Sequence, residues 1–357
     1  MRASSAPASD ERGHLGLTLE ARVEETAPTA RGELYTRHPG MVAIGRRLLT
    51  LRTTSASTTE LTSLDLDADS PASRQLLDYV AKFVRTDGRR IFVTGCYDRS
   101  RPCWVAALDA ASGPVLHELG RAEIRYPMLL ELGGDRLVGV TEYNEISVRD
   151  TTDPAAMLEL EPFAVEYEFH DLAVTGQGYA YLAHLNGLEI VDVRNPEAPR
   201  KVGRMSGFEL PRGVRVSDDG RHLVVFEPIW VGQIVEGRVH VYALDDPVRP
   251  RLIGEVTIPS LFGDVESLAR DDPILFDLEG DRFWVAAQQI VAVDLSDPTQ
   301  PLLVLRQTLP ARALGLSIGG DTVFVAEPGG SVAAFRVGVL AHAITLPVVS
   351  TNRRDGP

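Results

Sequence analysis

The stretch NGLEIVDVRNPEAPRKVG, residues 186–203, decides the fold because it is one copy of a repeated unit. An alternating apolar run ends on an aspartate, turns at Asn-Pro and continues as a second short run, which is typical of two antiparallel strands. The position four residues before the turn proline is Asp150, Asp192, Ala243 or Asp294 in the clearest copies, so these copies lie 42, 51 and 51 residues apart. The related stretches are EISVRDTTDPAAMLELEP at 145–162, RVHVYALDDPVRPRLIGEVTIP at 238–259 and QIVAVDLSDPTQPLLVLRQTLP at 289–310.

The repeated unit has four strands. Weaker copies of the turn lie around Asp65, Asp109 and Arg336, and each of the seven copies follows two strand-like segments joined by a glycine turn, such as LAVTGQGYAYLAHL at 172–185. Units of about 40 to 50 residues with four strands are typical of β-propellers. One unit cannot bury both faces of its sheet, whereas a closed ring of units can. The sequence therefore predicts an all-β fold, a seven-bladed β-propeller with four antiparallel strands per blade.

We expect one propeller domain over residues 13–349, between disordered tails at 1–12 and 350–357. Only residues 72–82 have any helical character. Two runs are candidates to close the ring, LGLTLEARVEE at 15–25 and AHAITLPVV at 341–349. The seven blades are predicted at about 35–82, 83–125, 126–169, 170–210, 211–258, 259–310 and 311–348.

The strand LEIVD, residues 188–192, resembles the strand that gives the LVIVD repeat of bacterial β-propellers its name. The similarity is good in the fourth and sixth units, partial in the third and fifth, and poor in the other three. Together the units cover residues 35–348. The resemblance implies a seven-bladed propeller and no particular activity.

Composition excludes several kinds of partner. The net charge is −14 over 357 residues, and an acidic protein repels the phosphate backbone of nucleic acids. No apolar run approaches the roughly 18 residues of a membrane span, so we expect no membrane partner. Residues 1–17 lack the apolar region of a signal peptide, which favours a cytoplasmic location. In that compartment Cys96 and Cys103 are expected to be reduced thiols, with a disulfide across their hairpin as the alternative.

The two faces of the predicted ring differ. With the strands of a blade named A to D from axis to rim, the A–B and C–D turns share one face and are short and alike, for example NPEAP, DPVRP and DPTQP. The B–C loops and D-to-A connectors share the opposite face and vary in length and composition. Variable loops on a rigid scaffold usually carry function. We therefore assign function to this irregular face.

Two functions remain open on the irregular face. The first is a non-catalytic interaction scaffold, for which Trp230, flanked by Ile229 and Val231 in the longest B–C loop, would contact a protein partner or cover the channel. The second is an enzyme of lactonase, cyclase or isomerase type that binds a small anionic substrate at the channel mouth. The resemblance of that mouth to seven-bladed lactonases and cycloisomerases is one of residue types only.

The enzyme hypothesis names specific residues. His170, Asp171 and Glu266 would be catalytic, since histidine and carboxylates move protons near neutral pH. The remaining candidate ligand-binding residues, besides Trp230, are His38, Arg125, Tyr126, His184, Arg212 and Arg312. Guanidinium groups bind carboxylates through paired N–H donors. We expect no cofactor and no metal. GLSIG at 315–319 matches a nucleophile elbow around Ser317 in letters only, because it lies between two strands rather than before a helix.

Overall fold

The structure, a computed structural model, describes most of the chain. Its described residues are 15–23, 40–55, 58–68, 72–96, 103–113, 115–125, 127–141, 143–157, 162–165, 169–231, 234–261, 275–328 and 330–339. They form seven four-stranded antiparallel sheets. The inner strand of each sheet contacts the inner strands of the sheets before and after it, and the seventh contacts the first. The predicted seven-bladed β-propeller is therefore confirmed.

The strands follow one another blade by blade. β1 (Leu15–Val23) belongs to the seventh blade. Blades one and two contain β2 (Met41–Ile44), β3 (Arg47–Thr53), β4 (Thr59–Asp65), β5 (Ala72–Leu77), β6 (Val80–Thr86), β7 (Arg90–Cys96), β8 (Cys103–Asp109) and β9 (Glu118–Ile124). Blades three and four contain β10 (Pro127–Gly133), β11 (Arg136–Thr141), β12 (Glu145–Asp150), β13 (Phe163–Ala164), β14 (Phe169–Val174), β15 (Tyr179–His184), β16 (Gly187–Asp192) and β17 (Arg200–Met205).

Blades five to seven complete the ring. Their strands are β18 (Gly213–Val216), β19 (His222–Val231), β20 (Ile234–Ala243), β21 (Arg251–Ile258), β22 (Leu275–Glu279), β23 (Arg282–Ala286), β24 (Gln289–Asp294), β25 (Leu302–Thr308), β26 (Gly315–Gly319), β27 (Thr322–Ala326) and β28 (Val332–Val339). A 3-10 turn, Pro154–Ala156, follows β12.

The N-terminal strand closes the ring. β1 pairs with β28, from Leu15 opposite Val339 to Val23 opposite Val332, and is thus the outer strand of the seventh blade. Glu20 of β1 forms ion pairs with Arg336 of the same blade at 2.7 Å and with Arg46 of the first blade at 3.0 Å. Of the two candidate closing strands the N-terminal one is confirmed. The other, 341–349, lies outside the described residues.

The helix prediction at 72–82 is wrong. Residues 72–77 are the rim strand β5, and β6 begins at Val80, three residues before the predicted start of the second blade. From Ser73 to Leu77 the side chains alternate between more and less exposed positions, which is the period of a strand rather than of a helix.

The hydrophobic core is divided among the blade interfaces. Each of seven buried clusters contains side chains from two neighbouring blades. The cluster that joins the first and seventh blades, for example, packs Met41, Leu48 and Leu64 against Phe324 and Val332. Burial of apolar area contributes about 25 cal/mol per Å², so every blade depends on both neighbours for its stability.

The repeated aspartate stabilises the C–D turn. At the end of the C strand its Oδ1 accepts a hydrogen bond from the backbone N–H two residues further on, at 2.7–3.1 Å, in five blades: Asp65, Asp109, Asp150, Asp192 and Asp294. Aspartate side chains commonly form such local turns. The repeated aspartate is therefore a structural residue of the turn.

Glycines in rim strands let neighbouring blades interlock. A Cβ on Gly203 of β17 would lie 2.9 Å from the carbonyl oxygen of Val248, in the C–D turn of the next blade. Gly254 of β21 is in the same position relative to Pro298, where a Cβ would meet the carbonyl oxygen at 2.2 Å. β17 and β21 therefore need glycine at these positions because the Asp-Pro turn of the following blade packs directly on them.

We predict that Asp192 stabilises the fold in a pH-dependent way. Hydrogen bonds from Arg194 outweigh burial and lower the pKa of Asp192 to about 2. A carboxyl group with a lowered pKa in the folded state contributes stability above its unfolded pKa of about 4 and loses it as the pH falls towards 2. At pH 6 Asp192→Asn should lower the free energy of unfolding, because it removes the negative charge that the arginines bind. The loss should be only about 1 kcal/mol, since these arginines are exposed and water screens the interaction.

Urea unfolding of wild type and Asp192→Asn at pH 6, 4 and 3 measures this difference. The difference should shrink as the pH falls. Asp192→Ala serves as the control, because it also removes the turn hydrogen bond and should keep a deficit of about 1 kcal/mol at low pH. A constant difference between wild type and Asp192→Asn at all three pH values would contradict the prediction.

Candidate interaction surface

Three residues proposed for the channel mouth lie near one another. His170 is in β14, His184 ends β15, and Arg212 comes just before β18. Nη1 of Arg212 lies 3.5 Å from Nδ1 of His170. Both histidines are buried, at 8% and 1% exposure, so the expectation that they are exposed on the irregular face is wrong. Burial, together with the charge of Arg212 and the neighbouring His184, lowers the pKa of His170 to about 4, which leaves the ring neutral at pH 7.

His184 belongs to an ion-paired cluster within the fourth blade. The N–H of Asn186 donates to its Nδ1 at 3.3 Å, and its Nε2 lies 3.7 Å from the buried carboxylate of Glu189. Lys201 approaches that carboxylate to 2.6 Å and Arg204 to 3.7 Å. Burial lowers the pKa of His184. The ring therefore packs within the blade rather than facing a ligand.

Asp171 connects two blades. Its Oδ2 accepts the N–H of Val214 in the next blade at 2.6 Å, and its Oδ1 accepts the N–H of Leu172 at 2.8 Å. Asp277 accepts the N–H of Ile318 at 3.4 Å in the same way. Ser317 accepts the N–H of Ala43 at 2.9 Å across the junction of the seventh and first blades. These polar side chains of inner strands hold the next inner strand in register.

Charged side chains form further contacts between inner strands. Nε of Arg85 lies 3.3 Å from Glu131, and Arg215 lies between Asp171 and Asp277 at 3.7 and 3.8 Å. Burial raises the pKa of Glu131 and lowers that of Arg215 to about 10. A cavity of about 10 Å³ is lined by Phe83, Arg85, Leu129, Leu130, Glu131, Asp171 and Leu172. It has room for about one water molecule and not for a substrate.

Two of the other predicted residues are among those that the structure describes. Arg125 follows β9 and forms an ion pair with Glu145 at 2.9 Å, half exposed to solvent. Arg312 is partly buried in the connector before β26. His38, Tyr126 and Glu266 lie outside the described residues.

The longest B–C hairpin extends beyond its own blade. The pairing of β19 with the inner strand β18 ends at Phe226 opposite Gly213, and that of β20 with the rim strand β21 ends at Gly237 opposite Ile258. Beyond these points residues 228–231 pair only with 234–237. We call the paired residues 228–231 and 234–237 the tip hairpin. It projects from the irregular face.

Exposed apolar side chains lie on the irregular face of three consecutive blades. They are Tyr143 and Leu185 in the B–C turns of blades three and four, and Trp230 and Val231 in the tip hairpin, with exposures of 72%, 55%, 41% and 54%. Single exposed apolar residues are ordinary, but a row across adjacent loops is typical of a binding surface. Ile229, also in the tip hairpin, is buried, with 7% exposure.

A buried carboxylate, not foreseen from the sequence, holds the base of the tip hairpin. Glu227 of β19 accepts the N–H of Glu209 at 2.9 Å and contacts Nε2 of His240 at 2.9 Å. Nδ1 of His240 lies 3.0 Å from Glu255. Burial raises the pKa of Glu227, but the hydrogen bonds from His240 and Glu209 outweigh it and hold the pKa below its usual range. The D-to-A connector 206–212 and the hairpin thus share one anchor.

The cysteines do not have the state that the sequence predicts. Cys96 and Cys103 face one another across β7 and β8 and form a disulfide. Both are buried beside Phe83, Phe92 and Ile124. The prediction of reduced thiols is therefore wrong. Strand pairing places the two side chains directly opposite one another, which the sequence spacing alone does not show.

In the described ranges no three histidine, cysteine or acidic side chains come together as a metal site. No helix among the described residues is long and apolar enough to cross a membrane.

Fold and surface together define a seven-bladed β-propeller with an exposed apolar row on its irregular face. The LVIVD repeat model matches residues 169–206, the fourth blade, and residues 278–308 of the sixth. The fourth and sixth blades of this seven-bladed β-propeller therefore match the LVIVD repeat. No curated protein matches it.

Solved structures share the fold at low identity. A chain in the mitotic checkpoint complex is 12% identical, with a TM-score of 0.60 over 94% of this chain and 98% of that one. A chain in the S. cerevisiae structure of Dbp5 bound to Nup159, Gle1, IP6 and ADP is 12% identical, with a TM-score of 0.55 over 92% and 96%. A functionally unknown protein from Desulfotomaculum acetoxidans is 12% identical, with a TM-score of 0.58 over 76% and 86%. These similarities show the fold alone.

We predict that the disulfide stabilises the propeller. The cysteines are seven residues apart, and closing such a short loop in the unfolded chain is worth about 2 kcal/mol in the chain-entropy description. Dithiothreitol should therefore lower the free energy of unfolding by about that amount. The double variant Cys96→Ala/Cys103→Ala is the control and should not respond to the reductant. Equal unfolding of the wild type with and without dithiothreitol would contradict the prediction.

Proposed function

We propose that this protein is an interaction scaffold that binds a protein partner through the irregular face of blades three to five. The observation that carries the proposal is the row of exposed side chains Tyr143, Leu185, Trp230 and Val231 on adjacent loops. Tryptophan and tyrosine are the residues most often found at the energetic centre of interfaces. The solved structures of the mitotic checkpoint complex and of Dbp5 bound to Nup159 are consistent with propellers in protein assemblies.

The enzyme hypothesis has less support. His170 is buried and its pKa is about 4, so it is poorly matched to proton transfer at neutral pH. Asp171 has both carboxylate oxygens engaged by backbone N–H groups. The cavity between the inner strands is too small for a substrate and is not lined by His170 or Arg212. We therefore make no proposal for catalysis or for a small anionic ligand.

The disulfide bears on where the scaffold works. Cytosolic thiol systems keep most cysteines reduced, whereas disulfides persist in oxidising compartments. The Cys96–Cys103 disulfide therefore favours an oxidising compartment over the cytoplasm that the sequence suggested.

We predict that Trp230 is a hot spot for partner binding. Trp230→Ala removes the largest apolar side chain of the tip hairpin and should weaken partner binding by about 2 kcal/mol, or roughly 30-fold. The measurement is affinity capture from the source cells on immobilised wild type and variants, with quantitative mass spectrometry, followed by titration of the recovered partner.

Leu252→Ala is the matched control. Leu252 has a comparable exposure of 49% but lies on the rim strand β21 of the same blade, away from the irregular face. This variant should bind the partner as the wild type does. A partner that binds Trp230→Ala and wild type equally, or that is lost with Leu252→Ala alone, would show that the irregular face is not the binding face.

A further inference from the structure

The tip hairpin has an edge without a neighbouring strand on the side of β18. The last contact on that side is the N–H of Arg212, which donates to the C=O of Phe226 at 2.9 Å. Backbone groups of successive residues point to alternate sides of a strand, so those of Pro228 and Trp230 point to the same side as those of Phe226. No described residue hydrogen-bonds to them there. We call the C=O of Pro228 and the C=O and N–H of Trp230 the open edge.

The connector 206–212 turns its donors away from the open edge. The N–H groups of Glu209 and Leu210 donate to Oε2 of Glu227 at 2.9 and 3.5 Å. Glu227 and Trp230 are three residues apart in one strand, so their side chains lie on opposite faces of the hairpin. The connector thus uses these donors on the face opposite Trp230 and does not continue the ladder along β19. The open edge is left to solvent or to another chain.

The sequence of the open edge favours pairing with another strand. Residues 228–231 read PIWV, and the aromatic and β-branched residues among them favour strands. Natural edge strands are usually protected by charged side chains, bulges or proline. Residues 228–231 contain a proline and no charge, and the N–H that Pro228 lacks would have pointed to the open edge, where a strand tolerates proline. Both backbone groups of Trp230 remain, beside the exposed side chains of Trp230 and Val231.

We propose that the tip hairpin binds an extended segment of the partner protein as an additional β-strand along its open edge. This inference rests on the proposed function and specifies the conformation of the partner segment. N–H groups of the segment donate to the C=O groups of Pro228 and Trp230, and one of its C=O groups accepts the N–H of Trp230. Its side chains alternate between the two faces, so apolar residues at successive positions cover Trp230 on one face and Val231 on the other.

The backbone groups of the open edge distinguish an extended segment from a helical one. A helix satisfies its own N–H and C=O groups, so it would contact Trp230 and Val231 by side chains alone and leave the open edge unpaired. Covering the indole of Trp230 also takes its backbone N–H out of water, and an N–H that loses water needs a new acceptor. An added strand supplies that acceptor, with main-chain hydrogen bonds for affinity and side chains for specificity. The occupant that fits both the exposed side chains and the open edge is an extended segment.

The test uses a displayed library of random peptides, about 12 residues long, as the probe. Peptides are selected on the full chain and depleted on Trp230→Pro. Trp230→Ala is the matched control, because both variants lack the indole and only Trp230→Ala keeps the N–H of residue 230. The selected peptides should be rich in Val, Ile, Thr and aromatic residues, and they should bind Trp230→Pro about fivefold more weakly than Trp230→Ala, as expected for one lost hydrogen bond. Equal binding to the two variants, or no peptide that depends on residue 230, overturns the proposal.

A scan of one selected peptide leaves the protein unchanged. Each backbone nitrogen of the synthetic peptide is methylated in turn, which removes one N–H donor. In an added strand only every second residue bonds to the hairpin, so binding should fall about tenfold at alternate positions and change little between them. Sensitivity with a period of three to four residues, or without a period, would show that the peptide does not bind as a strand.

Hydrogen exchange locates the peptide on the open edge. The amide of Trp230 should exchange rapidly in the free chain and at least about tenfold more slowly with the peptide bound. The amide of Ile229, which pairs with Glu236 inside the hairpin, is the control and should be unchanged. If the Trp230 amide is slow in the free chain, or stays fast in the complex, the peptide does not add at this edge.

The two levels of the account fail separately. If Trp230→Ala removes the cellular partner while backbone methylation of the peptide shows no two-residue period, the scaffold function stands and the inference of an added strand is wrong. If Trp230→Ala retains the cellular partner, the proposed function itself is wrong.

Discussion

The hydrogen bond that a side chain of one inner strand accepts from the backbone N–H of the next is the interaction on which the rest of the structure depends. Asp171 accepts the N–H of Val214, Asp277 that of Ile318, and Ser317 that of Ala43. Inner strands have no strand partner on their axial side, so these side chains satisfy backbone groups that pairing leaves open. At these three junctions they also fix the height of one blade relative to the next, and hence where its loops on the irregular face begin.

Contacts at the axis and at the Asp-Pro turns stabilise the fold. The irregular face is therefore the candidate for function. On the turn face, the repeated aspartates satisfy their own turns and the rim glycines accept the next blade. On the irregular face, the charged groups of blade four pair within the blade, and Glu227 anchors the connector to the tip hairpin. Tyr143, Leu185 and Trp230 remain exposed there, on loops that these contacts hold in place.

The repeat made most of the fold predictable. Asp192 and Asp294 end alternating runs, precede an Asp-Pro or Asn-Pro turn and recur at a blade-sized interval, so local and global signals agree. The seventh blade was harder to predict from the sequence, because its outer strand, β1, comes from the N-terminal end of the chain. Residues 72–82 have helical character in the sequence but form strands. The short rim strand β5 and the start of β6 follow one another closely there, without a clear turn signal between them.

The site was less predictable, for physical reasons. Trp230 could be identified because it lies in an unusually long loop. The sequence did not show the roles of His170, His184 and Asp171. A polar residue near a strand end can face solvent or the next blade, and the choice depends on packing that one sequence does not reveal. A signal for His240 existed, since it alternates with valines in RVHVYA within a strand whose two faces are both buried. A polar residue at such a position needs a buried partner, which Glu227 supplies.

Hydrogen exchange at Val214 tests the role of the inner-strand links most directly. Asp171→Asn removes one of the two carboxylate oxygens that accept backbone N–H groups, while it changes the size of the side chain little. If these links hold the blades together, the Val214 amide should exchange about tenfold faster or more, and the increase should extend through β14 and β18. The same substitution at Asp192, in a C–D turn, should affect only its own turn. Unchanged protection of Val214 in Asp171→Asn would contradict the account, since the inner strands would then be held by apolar packing alone.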